Sequence, residues 1–82
     1  MGLTPIFQRS NDATAIVRVY ADLIDRFPDS ADIIYRRGAI YRLSGHPEEA
    51  LADFRACLMR EPSDIVRKQA EDQIASVEQL LR

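Results

Sequence analysis

Residues 31–62 read ADIIYRRGAIYRLSGHPEEALADFRACLMREP. Apolar residues recur at helical spacing on both sides of Ser44-Gly45-His46-Pro47, and Pro62 closes the run. Two helices joined by a tight turn is the direct reading. Asp29 and Ser30 are both good N-cap residues for the first helix, about Ala31 to Leu43. Its apolar positions are Ile33, Ile34, Ile40 and Tyr41, with Leu43 a further candidate. Gly45 suits the left-handed position just past its end. Pro47 suits the first position of the next helix, where its missing N–H is no loss, and Glu48 and Glu49 complement the helix dipole there. Ala50, Leu51, Phe54, Cys57 and Leu58 form one stripe on that second helix. Gly38 is the anomaly, a poor helix former in the middle of a helical pattern.

Outward from this core the pattern continues. From Asp12 to Phe27, Ile16, Tyr20, Leu23, Ile24 and Phe27 lie on one helical face. Ser10 or Asn11 can cap its start, and Pro28 ends it. After Pro62, Ser63 or Asp64 caps a fourth helix to about Leu81, striped by Val66, Ala70, Ile74, Val77 and Leu81. No segment alternates like a strand. The expectation is an all-α fold with helices near 12–27, 31–44, 47–60 and 64–81, neighbours lying antiparallel because the connections are short.

The chain has 82 residues, 46% apolar and 29% charged, which indicates one globular domain. A chain this short buries only about 60–65% of its unfolded surface, so docking to another copy or another protein is a natural source of further burial. The formal net charge of −2 gives no reason to expect nucleic acid. No apolar run approaches the roughly 20 residues of a membrane span. One cysteine, Cys57, cannot form an internal disulfide. The start MGLTPIFQRS lacks the basic and apolar regions of a signal peptide, and Ile6 breaks the myristoylation pattern. The expected location is cytoplasmic.

Shifted by 34 residues, the chain matches itself. Ile16 falls on Ala50, Val17 on Leu51, Tyr20 on Phe54, Leu23 on Cys57 and Ile24 on Leu58, while Arg26 meets Arg60 and Pro28 meets Pro62. Within residues 31–64 the order Ile34, Arg37, Gly38, Tyr41, Gly45, Ala50, Phe54, Cys57, Pro62 resembles the tetratricopeptide repeat family, a 34-residue helix–turn–helix unit. Ile34 stands where the family usually has tryptophan, and Arg37 where it has an inward leucine. The resemblance implies short antiparallel helix-turn-helix repeats stacked in a right-handed superhelical array. Residues 3–30 would be a truncated repeat, 31–64 a complete one, and 65–82 a terminal capping helix. It also accounts for Gly38, since small residues let the two helices of a unit cross closely, here Gly38 against Ala50.

The chemistry-bearing residues give no catalytic or metal-binding pattern, and neither an enzyme nor a cofactor is expected. His46 precedes a proline in a turn and reads as a cap or loop residue. Cys57 reads as core, because a reactive thiol needs exposure and a positive setting. The resemblance implies binding of a protein or peptide segment in a groove lined by first helices. On residues 31–44 that face would carry Asp32, Tyr35, Arg36, Ala39, Arg42 and Leu43. The expected role is a small adaptor or scaffold. The alternative is a self-associating module, a homo-oligomer and most simply a homodimer, completed through Leu3, Ile6 and Phe7 at one end and Ile74, Val77 and Leu81 at the other.

Overall fold

Among the described residues the computed structural model contains four α-helices and no strand. The structure describes the backbone from Leu3 and the side chains from Ala13 onward. Helix α1 spans Leu3–Arg26, α2 Ala31–Leu43, α3 Pro47–Met59 and α4 Asp64–Leu80. The two central helices begin within a residue of their expected starts. Helix α1 does not: it is one helix of 24 residues, with no break at Ser10 or Asn11. Neither glycine nor proline falls between Pro5 and Arg26, and weak helix formers such as Ser and Asn each cost only a few tenths of a kcal/mol in a helix interior.

The ends of α2 and α3 show why they stop. Gly45 takes φ +85°, its N–H bonds the Arg42 carbonyl, and the His46 N–H bonds the Tyr41 carbonyl. These two bonds make a Schellman motif. Pro47 opens α3 at its first position. At the end of α3 the left-handed position falls to Glu61 at φ +53°, a residue with a Cβ to accommodate. Pro62 follows and offers no N–H, so the full Schellman pair cannot form there. Ser63 caps α4 by accepting a bond from the Val66 N–H at 3.3 Å.

Contacts fix the topology. Arg37 meets Asp53, Gly38 meets Phe54, and Ile34 packs with Cys57. Residue numbers rise on α2 as they fall on α3, so the two run antiparallel. Helix α3 is likewise antiparallel to α4, with Cys57 beside Ala70 and Arg55 paired to Glu78. Helices α2 and α4 therefore run parallel, and Arg42 reaches across to Gln73 and Ser76. Helix α1 packs on α2, where Ile24 joins Ile34.

The assembly measures 45 × 34 × 18 Å, so its thin dimension holds only two helix layers. Such a slab has little interior. Its fully enclosed side chains are few: Ile34, Cys57 and Ala70 in one cluster, and Ala50, Phe54 and Val77 in the other. Tyr35 touches both clusters and sets its ring 5.4 Å from Phe54, tilted at 48°. The apolar face expected on α1 is divided. Tyr20, Leu23 and Ile24 are half-buried, whereas Ile16 and Phe27 are exposed together with Val19.

Candidate functional site

Helix α2 packs tightly on α3 at Gly38. A Cβ there would lie 2.9 Å from Phe54 Cε1 and 3.1 Å from Asp53 Cβ. The close approach expected for Gly38 exists, but its nearest atoms belong to Phe54 and Asp53, one turn beyond Ala50. Ala50 packs instead with Phe54 and Val77. The reason is register, because the ring of Phe54 fills the space that a side chain at position 38 would need.

Beside that crossing sits a group the sequence reading missed. Asp53 is 5% exposed, and both its oxygens accept bonds from Arg37: Nε to Oδ2 and Nη2 to Oδ1, each 2.8 Å. This bidentate pair is the strong form of a charge-assisted contact. The hydrogen bond to Asp53, reinforced by its charge, holds the Arg37 guanidinium above the usual arginine range despite partial desolvation. The guanidinium carbon also lies 5.8 Å from the centre of the Tyr41 ring. The charge of Arg37 is thus neutralised by an acid on the facing helix. The signal was visible in the sequence. Asp53 falls in the apolar stripe Ala50, Phe54, Cys57, where an unpaired carboxylate would be costly.

Four of the six groove residues expected on α2 share the outward face: Asp32, Arg36, Ala39 and Leu43, at spacings of four, three and four residues. Arg36 is exposed and makes no ion pair among the described residues, and Leu43 is 87% exposed. Tyr35 and Arg42 lie at the margin. Tyr35 leans on Phe54, and Arg42 donates from Nη1 to Gln73 Oε1 and from Nη2 to Ser76 Oγ at 2.8 Å. Arg42 is a bridge between α2 and α4, so its charge is partly engaged. Gln73 and Ser76 continue on α4 into Leu80, one turn further and exposed. Because α2 and α4 are parallel, Leu43 and Leu80 stand at the same end of this face.

The residues expected to self-associate fare differently. The side chains of Leu3, Ile6 and Phe7 lie outside the described ones. Val77 is fully enclosed against Phe54 and Ala50, and Ile74 is half-buried beside them. Val77, assigned to a self-association surface, is instead occupied within the chain, enclosed against Ala50 and Phe54 of α3. Leu81 keeps exposure.

His46 takes the N-cap position of α3 without a side-chain cap bond, its ring edge-on to Tyr41. Burial pushes the Cys57 thiol up from its ordinary range, with Asp32 adding to the effect, so a thiolate is disfavoured. Among the described residues, no group of three His, Cys, Asp or Glu side chains could hold a metal ion, and no helix is long and apolar enough to cross a membrane. An open cleft of about 290 Å3 lies between the α1–α2 and α3–α4 turns, with Asp29, Asp32 and Glu61 on its walls. Arg60 closes one side of it by donating to the Pro28 carbonyl at 2.9 Å. No family model, curated protein or solved structure matches the chain.

Proposed function

We propose that the protein is a small helical-repeat adaptor of the tetratricopeptide type, without catalysis, and that it binds a segment of a partner protein along α2 and α4. The observation that carries this reading is the outward face of α2. There an arginine without an ion pair, Arg36, and a nearly bare leucine, Leu43, share one stripe. Seven residues separate them, about 10 Å along a helix. Leu80 on α4 broadens the apolar end. A fitting segment presents a carboxylate and a large apolar side chain about 10 Å apart, with the apolar group held at the Leu43–Leu80 end. The Arg42 bridge fixes the spacing of the two helices, which keeps the face pre-formed.

Fluorescence anisotropy tests this with short labelled peptides that combine Glu or Asp with Leu, Phe or Trp at varied separations. The expected result is binding that peaks at one separation and weakens at least fivefold in Arg36→Glu or Leu43→Asp. Helix content should be unchanged, since both side chains are exposed. Equal binding of acidic, neutral and basic peptides would refute the assignment of this face.

A further inference from the structure

Asp32 stands on the outward face of α2, one turn before Arg36. It is exposed and makes no ion pair among the described residues. Steps of four and seven residues return to one side of a helix, so Asp32, Arg36 and Leu43 fall within about 40° of one another around the axis. A contact between Asp32 and Arg36 themselves would be an exposed helical pair, weak enough for a partner to displace. From the start of α2 to its end the face therefore runs carboxylate, guanidinium, hydrocarbon.

The spacing of these groups selects the conformation of what binds them. Along the axis Asp32 and Arg36 are about 6 Å apart, and Arg36 and Leu43 about 10 Å. In an extended segment, at about 3.3 Å per residue, these steps are two residues and three. Side chains alternate along a strand, so a step of two keeps to one side and a step of three crosses to the other. An extended segment aimed at Asp32 and Arg36 thus turns its apolar side chain away from Leu43. A helix has no such conflict, since its own steps of four and seven share a face. Direction follows from the dipoles. Helices α2 and α4 run parallel, with Arg42 reaching to Gln73 and Ser76, so both N-terminal ends lie toward Asp32. A third helix is favoured with its C-terminal end there. A cation in its last turn suits that end, and a glutamate one turn earlier stands in the better i,i+4 order.

We propose that the partner segment is an amphipathic helix lying antiparallel to α2 in the groove beside α4. It sets a large apolar residue at Leu43 and Leu80, a carboxylate seven residues later on Arg36, and a lysine or arginine four residues after that on Asp32. This partner occupies the same face and rests on the peptide-binding reading, to which it adds conformation, direction and charge order. Asp32 then discriminates against wholly acidic segments, which gain at Arg36 and are repelled one turn away.

Fluorescence anisotropy of the full chain with labelled alanine-rich peptides tests it. One peptide carries leucine, glutamate and lysine in that order at these separations. In a second the lysine becomes glutamate, in a third the whole sequence is reversed, and in a fourth a proline sits midway between leucine and glutamate. The first should bind at least fivefold tighter than the second and third and at least tenfold tighter than the fourth. Asp32→Lys, with helix content unchanged by circular dichroism, should reverse the preference between the first and second. Equal binding of the proline peptide overturns the helical partner, and equal binding of the reversed peptide overturns its direction. Binding that is lost in Arg36→Glu but indifferent to the peptide's lysine and to Asp32→Lys overturns the charge order and leaves the peptide-binding reading standing. Absence of binding, or binding indifferent to both Arg36→Glu and Leu43→Asp, overturns that reading and this one with it.

Discussion

Replacing Gly38 by alanine sets two effects of known sign against each other. Alanine is the better helix former by about 1 kcal/mol, so in an open helix the change stabilises. Here the new methyl would lie 2.9 and 3.0 Å from Phe54 Cε1 and Cδ1 and 3.1 Å from Asp53 Cβ. Carbon atoms rest at about 3.5–4.0 Å, so the contact must open by roughly 0.5–1 Å. The ring cannot swing away easily. Phe54 is fully enclosed, with Tyr35 on one side and Ala50 and Val77 in the same cluster. Backing off the backbone instead would stretch the 2.8 Å bonds between Arg37 and Asp53. Overpacking of this kind costs about 1–3 kcal/mol, and the net result is a loss of about 1 kcal/mol. For a domain of this size that lowers Tm by roughly 4–8 °C. Thermal and urea unfolding followed by circular dichroism at 222 nm would read it. In a Phe54→Leu background the obstruction is smaller, and the same Gly38→Ala change should become neutral or stabilising by up to about 1 kcal/mol. If Gly38→Ala stabilises the otherwise intact protein, the crossing does not have the tightness described. Gly38→Leu adds three further carbons at the same point and should destabilise more than alanine does.

Other consequences are equally direct. Asp53→Ala strands a partly exposed guanidinium against the core and should cost about 2 kcal/mol in urea unfolding, whereas Arg37→Leu combined with Asp53→Leu should recover most of that loss. Because burial raises the Cys57 thiol, the unfolded chain releases that proton first as pH rises, so stability is full below about pH 9 and falls above it. Cys57→Ala should remove that alkaline slope in unfolding curves compared at several pH values. Glu61→Gly relieves a left-handed residue and should raise stability by about 0.5–1 kcal/mol, while Gly45→Ala, at φ +85°, should lower it by a similar amount.

The helices were legible because their punctuation is strong. Pro28, Gly45, Pro47 and Pro62 mark ends through backbone chemistry alone, and the central helix boundaries follow. The start of α1 was not legible, because Ser10 and Asn11 favour caps without requiring them. Burial was legible on α3, which has neighbours on two sides. On α1 and α4 it was misjudged, since periodicity reports an apolar face without saying whether a neighbour covers it. Val77 was assigned to self-association and is enclosed, while Ile16 and Phe27, read on one apolar face with Leu23 and Ile24, are exposed. The Arg37–Asp53 pair escaped because Arg37 was judged alone, as a departure, and Asp53 was passed over among the apolar positions around it. Only the antiparallel register of α2 and α3 brings them together.

That pair has a further effect during folding. Helices α1 and α3 present similar stripes, so a nascent α2 meets two surfaces that compete for its inner face. On α3 the Arg37 guanidinium finds a carboxylate; at the matching place on α1 it finds Val19. Docking on the wrong helix would leave that charge desolvated beside a hydrocarbon, and the misplaced encounter would come apart. The ion pair is expected to favour the correct neighbour during docking, and refolding kinetics test it. An Arg37→Leu, Asp53→Leu chain should therefore match the parent in equilibrium stability yet refold with an added slow phase from misdocked species. Stopped-flow refolding of the two proteins side by side would expose that difference, and identical single-phase traces would rule it out.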